Sequence, residues 1–314
     1  MSILDAIILG IVQGLTEFLP VSSSGHLAIT QHILGWGGES NLFFDVMLHV
    51  GTLAAVIVFY RKLIWSLIKE FIAMVRDIFT GKFRWKEMNY ERRLIVMLFI
   101  GLLPLLLMFV PIGNGMKLKD LADVFGASPV MIVPAVSLMV TSALLFIGIL
   151  CNKRSCAYSP RHMKGSSSSG KGRESYTVLD AVCVGLMQVA AALFPGLSRS
   201  GSTLAVGEMR GISKQKALDY TFVLGIPAIL AAALLEGLDA VKEGVAIEPL
   251  PLIIGVVVSA VVGYLAILIF KWFLKTDKMM IFVIYTAVVG VAMLVISIIE
   301  LNMGINIFSQ MPLK

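Results

Sequence analysis

Six stretches, roughly 42–60, 94–112, 129–150, 217–236, 250–270 and 280–300, are almost continuously apolar. Each is long enough to cross a bilayer as a helix, which takes about 20 such residues. Two further stretches, 3–36 and 177–210, read differently: each is a pair of shorter apolar runs split by a polar break. In the first, Ile7 to Val12 are apolar or glycine, and then Gln13, Glu17, Ser22, Ser23, Ser24 and His26 follow closely, with Pro20 and Gly25 among them. Pro and Gly there predict a broken helix. Broken backbone at membrane depth is tolerated only where protein or a water-filled cavity satisfies it. The two stretches therefore read as re-entrant helical hairpins around a polar pocket. Residues 64–80, WSLIKEFIAMVRDIFTG, have the pattern of an amphipathic helix lying on the inner leaflet or packed on the protein.

The two broken stretches are related. Asp5, Ala6, Gly10, Gln13 and Pro20 recur as Asp180, Ala181, Gly185, Gln188 and Pro195. With one residue inserted after the proline, the serines and glycine of Phe194 to Thr203, FPGLSRSGST, align as well. The copies differ where chemistry would sit. Glu17 becomes Ala192, the His26 position becomes Ser202, and the second copy alone carries Arg199. One composite site shared by both halves is the expectation.

Loop charges orient the chain. Segments 61–93 and 151–176 and the turn around Lys271, Lys275 and Lys278 are basic, whereas Glu236 to Glu248 is acidic. The positive-inside rule puts the basic segments in the cytoplasm and the acidic one outside, with both termini outside. Each half then holds one hairpin and three spans, and an odd number of spans inverts the second half. The predicted fold is an all-α polytopic membrane protein with six transmembrane helices plus two re-entrant helical hairpins in an inverted-topology repeat, a transporter-like pattern. It forms a single membrane domain over 1–314, with repeats at 1–150 and 177–300 joined by a cytoplasmic loop at 151–176. That loop carries a flexible tip, GSSSSGKG, at Gly165 to Gly172.

Composition agrees: 58% of the 314 residues are hydrophobic and only 15% charged, against about a quarter charged in soluble domains. The net charge of +6 follows from basic cytoplasmic loops rather than nucleic-acid binding. Cys151, Cys156 and Cys183 form no metal or disulfide pattern and read as free thiols. The N-terminus lacks a basic n-region and does not read as a signal peptide.

A carboxylate and an imidazole at bilayer depth read as functional. Gln13 and Glu17, four apart, share a helix face and can offer oxygens to a hard cation or a phosphate network. His26, near three hydroxyls, has the chemistry to activate a nucleophile or protonate a leaving group, and Glu17 is placed to orient it, directly or through water, or to hold a cation on a phosphate. Ser22 and Ser24 are candidate caps of the second half-helix. Arg199 requires an anion, and phosphate matches its fork. Ser198, Ser200, Ser202 and Thr203 add hydroxyls at a helix N-terminus that favours anions. A structural Arg199–Glu17 ion pair is the competing reading. Asp45 and His49, four apart, are candidates for a supporting layer or for the interface. His32 and His162 carry no legible signal. The residue types leave open whether serine, histidine or water attacks.

With these residues in view, the chain resembles the undecaprenyl-diphosphate phosphatase family, the bacitracin-resistance membrane proteins. The resemblance runs along essentially the whole chain and is anchored by QGLTEFLPVSSSGH, Gln13 to His26, and PGLSRSGST, Pro195 to Thr203. It implies Ser23 as candidate nucleophile, His26 as an essential histidine, Arg199 as phosphate ligand, and catalytic roles for these three with Glu17. Gln13, Ser22, Ser24, Ser198, Ser200 and Thr203 become expected substrate contacts. It also implies a divalent cation, Mg²⁺ or Ca²⁺, with Glu17 and Gln13 as its ligands. Gln13 stands where the family has Glu or Gln, and removes one anionic ligand. The implied partner is a polyprenyl diphosphate lipid among membrane lipids, with a homodimer left open. The implied location is the bacterial inner membrane, multi-pass, with the site facing outward. Type 2 phosphatidic acid phosphatases share superficially similar strings, but Thr203 stands where their nucleophilic histidine would be. The alternative function is a transporter or flippase of an anionic polyprenyl lipid. It needs an anion site but no nucleophile.

Overall fold

A computed structural model of the protein describes residues 2–35, 40–113, 115–126, 130–157, 172–243, 248–310 and 312. Residues 165–171 of the predicted flexible tip, and His162, lie outside the described residues, as does the side chain of Cys156. Cys151 and Cys183 are free thiols.

The chain is mostly helical. The first half runs α1 (Ile3–Phe18), α2 (Ser23–Leu34), α3 (Ser40–Phe59), α4 (Arg61–Phe79), α5 (Tyr90–Leu102), α6 (Leu118–Gly126) and α7 (Ile132–Ala157). The second half runs α8 (Val178–Leu193), α9 (Arg199–Met209), α10 (Lys214–Glu243), α11 (Pro249–Lys275) and α12 (Met280–Met303). A short antiparallel hairpin, β1 (Pro111–Gly113) with β2 (Met116–Lys117), is the only sheet among the described residues.

Five segments are long and apolar enough to cross a membrane: Tyr90–Phe109, Ile132–Lys153, Lys214–Leu235, Pro249–Lys275 and Met280–Met303. Phe43–Phe59 and Arg61–Phe79 make a sixth if the pair, bent by 82°, counts as one span. That bend sets the predicted amphipathic helix across the line of α3. On α4, Trp65, Ile68, Ile72 and Phe79 form an exposed apolar stripe beside exposed Lys62, Lys69 and Arg76. Its acidic residues face inward instead, where Arg92 donates to Glu70 and pairs with Asp77, each at 2.9 Å.

The predicted span 94–112 is not a continuous α-helix. It leaves α geometry after Leu102 and runs as a 3-10 turn over Leu103–Phe109. Pro104 is the physical reason, because its ring removes a donor and crowds the preceding turn. The same place is where α8 approaches closely. A Cβ on Gly185 would lie 2.5 Å from the Gly101 carbonyl and 2.7 Å from Pro104 Cγ. The matching position, Gly10 on α1, would place a Cβ 2.8 Å from the Gly255 carbonyl of α11.

Both broken stretches fold as helix, break, helix, with the same capping chemistry. Ser2 and Asp5 form a capping box at α1, and Thr177 and Asp180 form one at α8. After the break, Ser22 caps α2 by accepting from the Gly25 N–H, and Ser198 caps α9 by accepting from the Gly201 N–H. The breaks are seated against the main core, in which Phe18 packs edge-on to Phe222 while Leu204 and Ala205 are fully buried.

Candidate active site

The two breaks meet. The Gly196 N–H donates to Ser24 Oγ at 3.3 Å, and Ser200 Oγ donates to the Leu19 carbonyl at 3.4 Å. Glycine permits this approach: a Cβ on Gly25 would lie 3.1 Å from Gly196 Cα, and one on Gly201 would lie 3.1 Å from Pro20 Cβ. The N-termini of α2 and α9 therefore come together, and each end favours negative charge.

Glu17 lies at the centre, 6% exposed. Its Oε1 accepts from Arg199 Nη2 at 2.5 Å. Its Oε2 accepts from Ser23 Oγ at 2.7 Å and from Gln13 Nε2 at 3.1 Å. His49 Nε2 lies 3.4 Å from the same oxygen, and its Nδ1 donates to the Asp45 carbonyl at 2.7 Å. Asp45 in turn accepts from Gln31 Nε2 on both oxygens at 2.9 Å. His49 thus reaches Glu17, while Asp45 meets His49 through its backbone carbonyl and gives its carboxylate to Gln31. The Arg199 guanidinium packs on Gly225 of α10, where any Cβ would overlap it. Its side chain is 24% exposed against 5% for Glu17, so the guanidinium is the more accessible of the pair.

The His26 ring is held by other partners. Among the described residues it makes no direct bond to Glu17. Its Nδ1 lies 2.8 Å from the Ser22 carbonyl and its Nε2 lies 2.8 Å from the Tyr285 hydroxyl of α12. The reason is local: α2 begins at Ser23, and Ser22 adopts φ 72°, which brings its carbonyl within reach of the His26 ring one turn on. A non-glycine residue at positive φ is strained, and such strain clusters at functional sites.

The remaining expected contacts divide. Ser24 is exposed and Ser23 half-buried against Glu17. Ser22, Ser198, Ser200 and Thr203 are buried, with hydroxyls already engaged. Ser198 and Ser200 bond each other at 3.3 Å, and Thr203 Oγ1 donates to the Arg199 carbonyl at 2.7 Å. Thr203 is 1% exposed, so it braces the arginine's backbone instead of facing a ligand. Ser202 is likewise fully buried.

Three participants escaped sequence reading. Thr141 of α7 accepts from the Ser198 N–H at 3.0 Å. Tyr285 reaches His26, and Gly225 makes room for Arg199. A hydroxyl inside an otherwise apolar span was the available signal for the first two. His32 also has a definite place away from the site, buried and paired to Glu300 at 2.9 Å.

The donor set for a divalent cation is small. Among the described residues no group of three or more His, Cys, Asp or Glu is arranged to hold a metal ion. Gln13 Oε1, however, is buried without a hydrogen-bond partner beside the Glu17 carboxylate. A Mg²⁺-like cation that keeps its waters and binds substrate phosphates needs only one or two protein oxygens. Gln13 and Glu17 fit that mode, though not a closed protein cage.

Comparison with known proteins gives a consistent result. The family model described as bacitracin resistance protein BacA matches residues 6–292. A protein of Alkaliphilus metalliredigens named undecaprenyl-diphosphatase is 38% identical over 300 residues, covering 95% of this chain and 100% of the relative. A Bacteroides fragilis protein of the same name is 37% identical, covering 93% and 97%. One from Methanosphaera stadtmanae is 33% identical, covering 95% and 99%. A multi-pass helical protein, with two broken helices meeting around Glu17 and Arg199 and a family match across nearly its whole length, this chain belongs to the bacitracin resistance protein BacA family.

Proposed function

We propose that the protein is a membrane phosphatase that hydrolyses undecaprenyl diphosphate to undecaprenyl phosphate and inorganic phosphate. This recycles the lipid carrier for peptidoglycan synthesis and confers bacitracin resistance. The name shared by its relatives supports the substrate. The observation that carries the chemistry is the Ser23–Glu17–Arg199 cluster: a hydroxyl bonded to a carboxylate that is itself bonded to a guanidinium. A flippase needs the guanidinium but not the hydroxyl–carboxylate pair. Purified protein in detergent should release inorganic phosphate from undecaprenyl diphosphate, because hydrolysis needs no second compartment. Absence of release from folded protein would favour the transport reading.

In the proposed mechanism the terminal phosphate displaces Glu17 from Arg199, which then binds phosphate through its fork. Freed of that partner, Glu17 takes the Ser23 Oγ proton as Oγ attacks the terminal phosphorus. The bond from that phosphorus to the bridging oxygen breaks, and undecaprenyl phosphate leaves. Water then attacks the phosphoserine, with His26 as acid–base group, Ser23 regains its proton from Glu17, and inorganic phosphate departs. The converging N-termini of α2 and α9 stabilise the charge at both stages. Ser24 contacts the diphosphate, while Ser22, Ser198, Ser200 and Thr203 hold the breaks in shape. A divalent cation held by Gln13, Glu17 and the diphosphate would neutralise charge on the substrate.

The repeats are read as inverted, with both breaks re-entrant and the site open to the outer face of the bacterial inner membrane. The exchange of partners supports this: α1 packs along α11, and α8 packs along α5. Each is the second span of the opposite half. A cysteine introduced near Lys171 should react only with membrane-permeant reagents in intact cells, and one near Glu243 with impermeant reagents too. The reverse labelling pattern would overturn the orientation.

A further inference from the structure

We infer that Tyr285 is the positioning residue of His26, a role that rests on His26 being the acid–base group of the reaction. A carbonyl oxygen can only accept, so the His26 Nδ1, 2.8 Å from the Ser22 carbonyl, carries a proton. In the neutral ring Nε2 is then the acceptor, and the Tyr285 hydroxyl 2.8 Å away is its donor. The rings lie nearly parallel, 12° apart with centroids at 5.5 Å, so the pair is set by stacking as well as by the hydrogen bond. Both ends are rigid. Ser22 is held at positive φ, which fixes the carbonyl. On α12, Ser142 of α7 donates to the Val283 carbonyl at 2.8 Å, and Gly290 is closely seated on Ala135 and Met139, so the backbone is anchored on either side of Tyr285. The Ser22 carbonyl thus sets the Nδ1–H tautomer, and the tyrosine hydroxyl fixes the direction of the Nε2 edge of the ring.

An ordinary lipid-facing tyrosine would explain the 42% exposure of Tyr285. It would not require the hydroxyl, and Phe would serve as well. The two accounts separate in a double-mutant cycle, which isolates coupling between two groups. Phosphate release from undecaprenyl diphosphate is measured for wild type, Tyr285→Phe, His26→Ala and the double variant, all in detergent. Phe keeps the ring and loses only the donor. Tyr285→Phe should lower kcat by about tenfold, the order expected for one lost hydrogen bond, with KM little changed. In the His26→Ala background the same substitution should have no further effect. Full activity of Tyr285→Phe, or an equal loss in both backgrounds, would overturn the inference. Unchanged activity of His26→Ala would instead overturn the acid–base reading on which it rests. As a readout independent of turnover, ¹⁵N spectra of labelled histidine should report the Nδ1–H tautomer for wild-type His26. In Tyr285→Phe the same tautomer should persist while the Nε2 resonance shifts on losing its hydrogen-bond donor, and identical spectra would contradict the role.

Discussion

Ser23→Ala is expected to abolish phosphate release while binding of the lipid diphosphate survives. The substitution removes a single hydroxyl and its 2.7 Å bond to Glu17, leaving Arg199 and both helix N-termini in place. Anion affinity rests on those groups, and bond formation to phosphorus rests on Oγ. The largest effect should therefore fall on kcat. His26→Ala should be less severe, retaining some turnover after a loss of ~10²–10⁴-fold, the usual contribution of general acid–base help. Rapid quenching of wild-type enzyme with substrate, followed by mass spectrometry, should place phosphate on Ser23. Phosphate on His26, or an active Ser23→Ala protein, would sink the serine mechanism and leave histidine or water as the attacking group.

Arg199→Ala should lower hydrolysis by ~10²–10³-fold, the typical result of removing one preorganised donor to a developing oxyanion. The loss has two sources. The terminal phosphate loses its bidentate partner, and buried Glu17 loses the cation at 2.5 Å. Arg199→Lys separates them. An ammonium can restore charge near Glu17, but it is a point charge and cannot reproduce the planar fork. The lysine variant should therefore regain thermal stability better than it regains rate. Near-normal hydrolysis by folded Arg199→Ala protein would rule out the phosphate role and leave Arg199 as a purely structural partner of Glu17.

Much of the architecture was legible because a bilayer imposes a length on apolar runs and a penalty on polar breaks. The stretches 217–236, 250–270 and 280–300 fall within long apolar helices, as do residues 132–150 of the stretch 129–150. The polar breaks at Pro20 and Pro195 fall between helices as read. The stretch 94–112 lies largely in a membrane-long segment, Tyr90–Phe109, but apolar content does not reveal that the backbone turns 3-10 around Pro104. The repeat of Asp5 and Ser22 in Asp180 and Ser198 was visible, and it fixes matching caps because capping is a local interaction.

Which residues touch which is another matter. The sequence paired Glu17 with His26, nine positions on, and offered Arg199 as a partner of Glu17 only as a competing reading; the folded chain joins those two across 182 positions. The sequence did not pair His26 with Tyr285, 259 positions away. Residue types alone determined that a carboxylate, a guanidinium, serines and an imidazole would share a polar site in the membrane. The tertiary structure decided their partners, through contacts that no local pattern encodes. Glycines let two helix N-termini meet, a strained Ser22 turns its carbonyl to His26, and an opening at Gly225 admits the arginine. Side-chain direction across a broken helix is set by those backbone contacts, and so it becomes readable only once the two halves are joined.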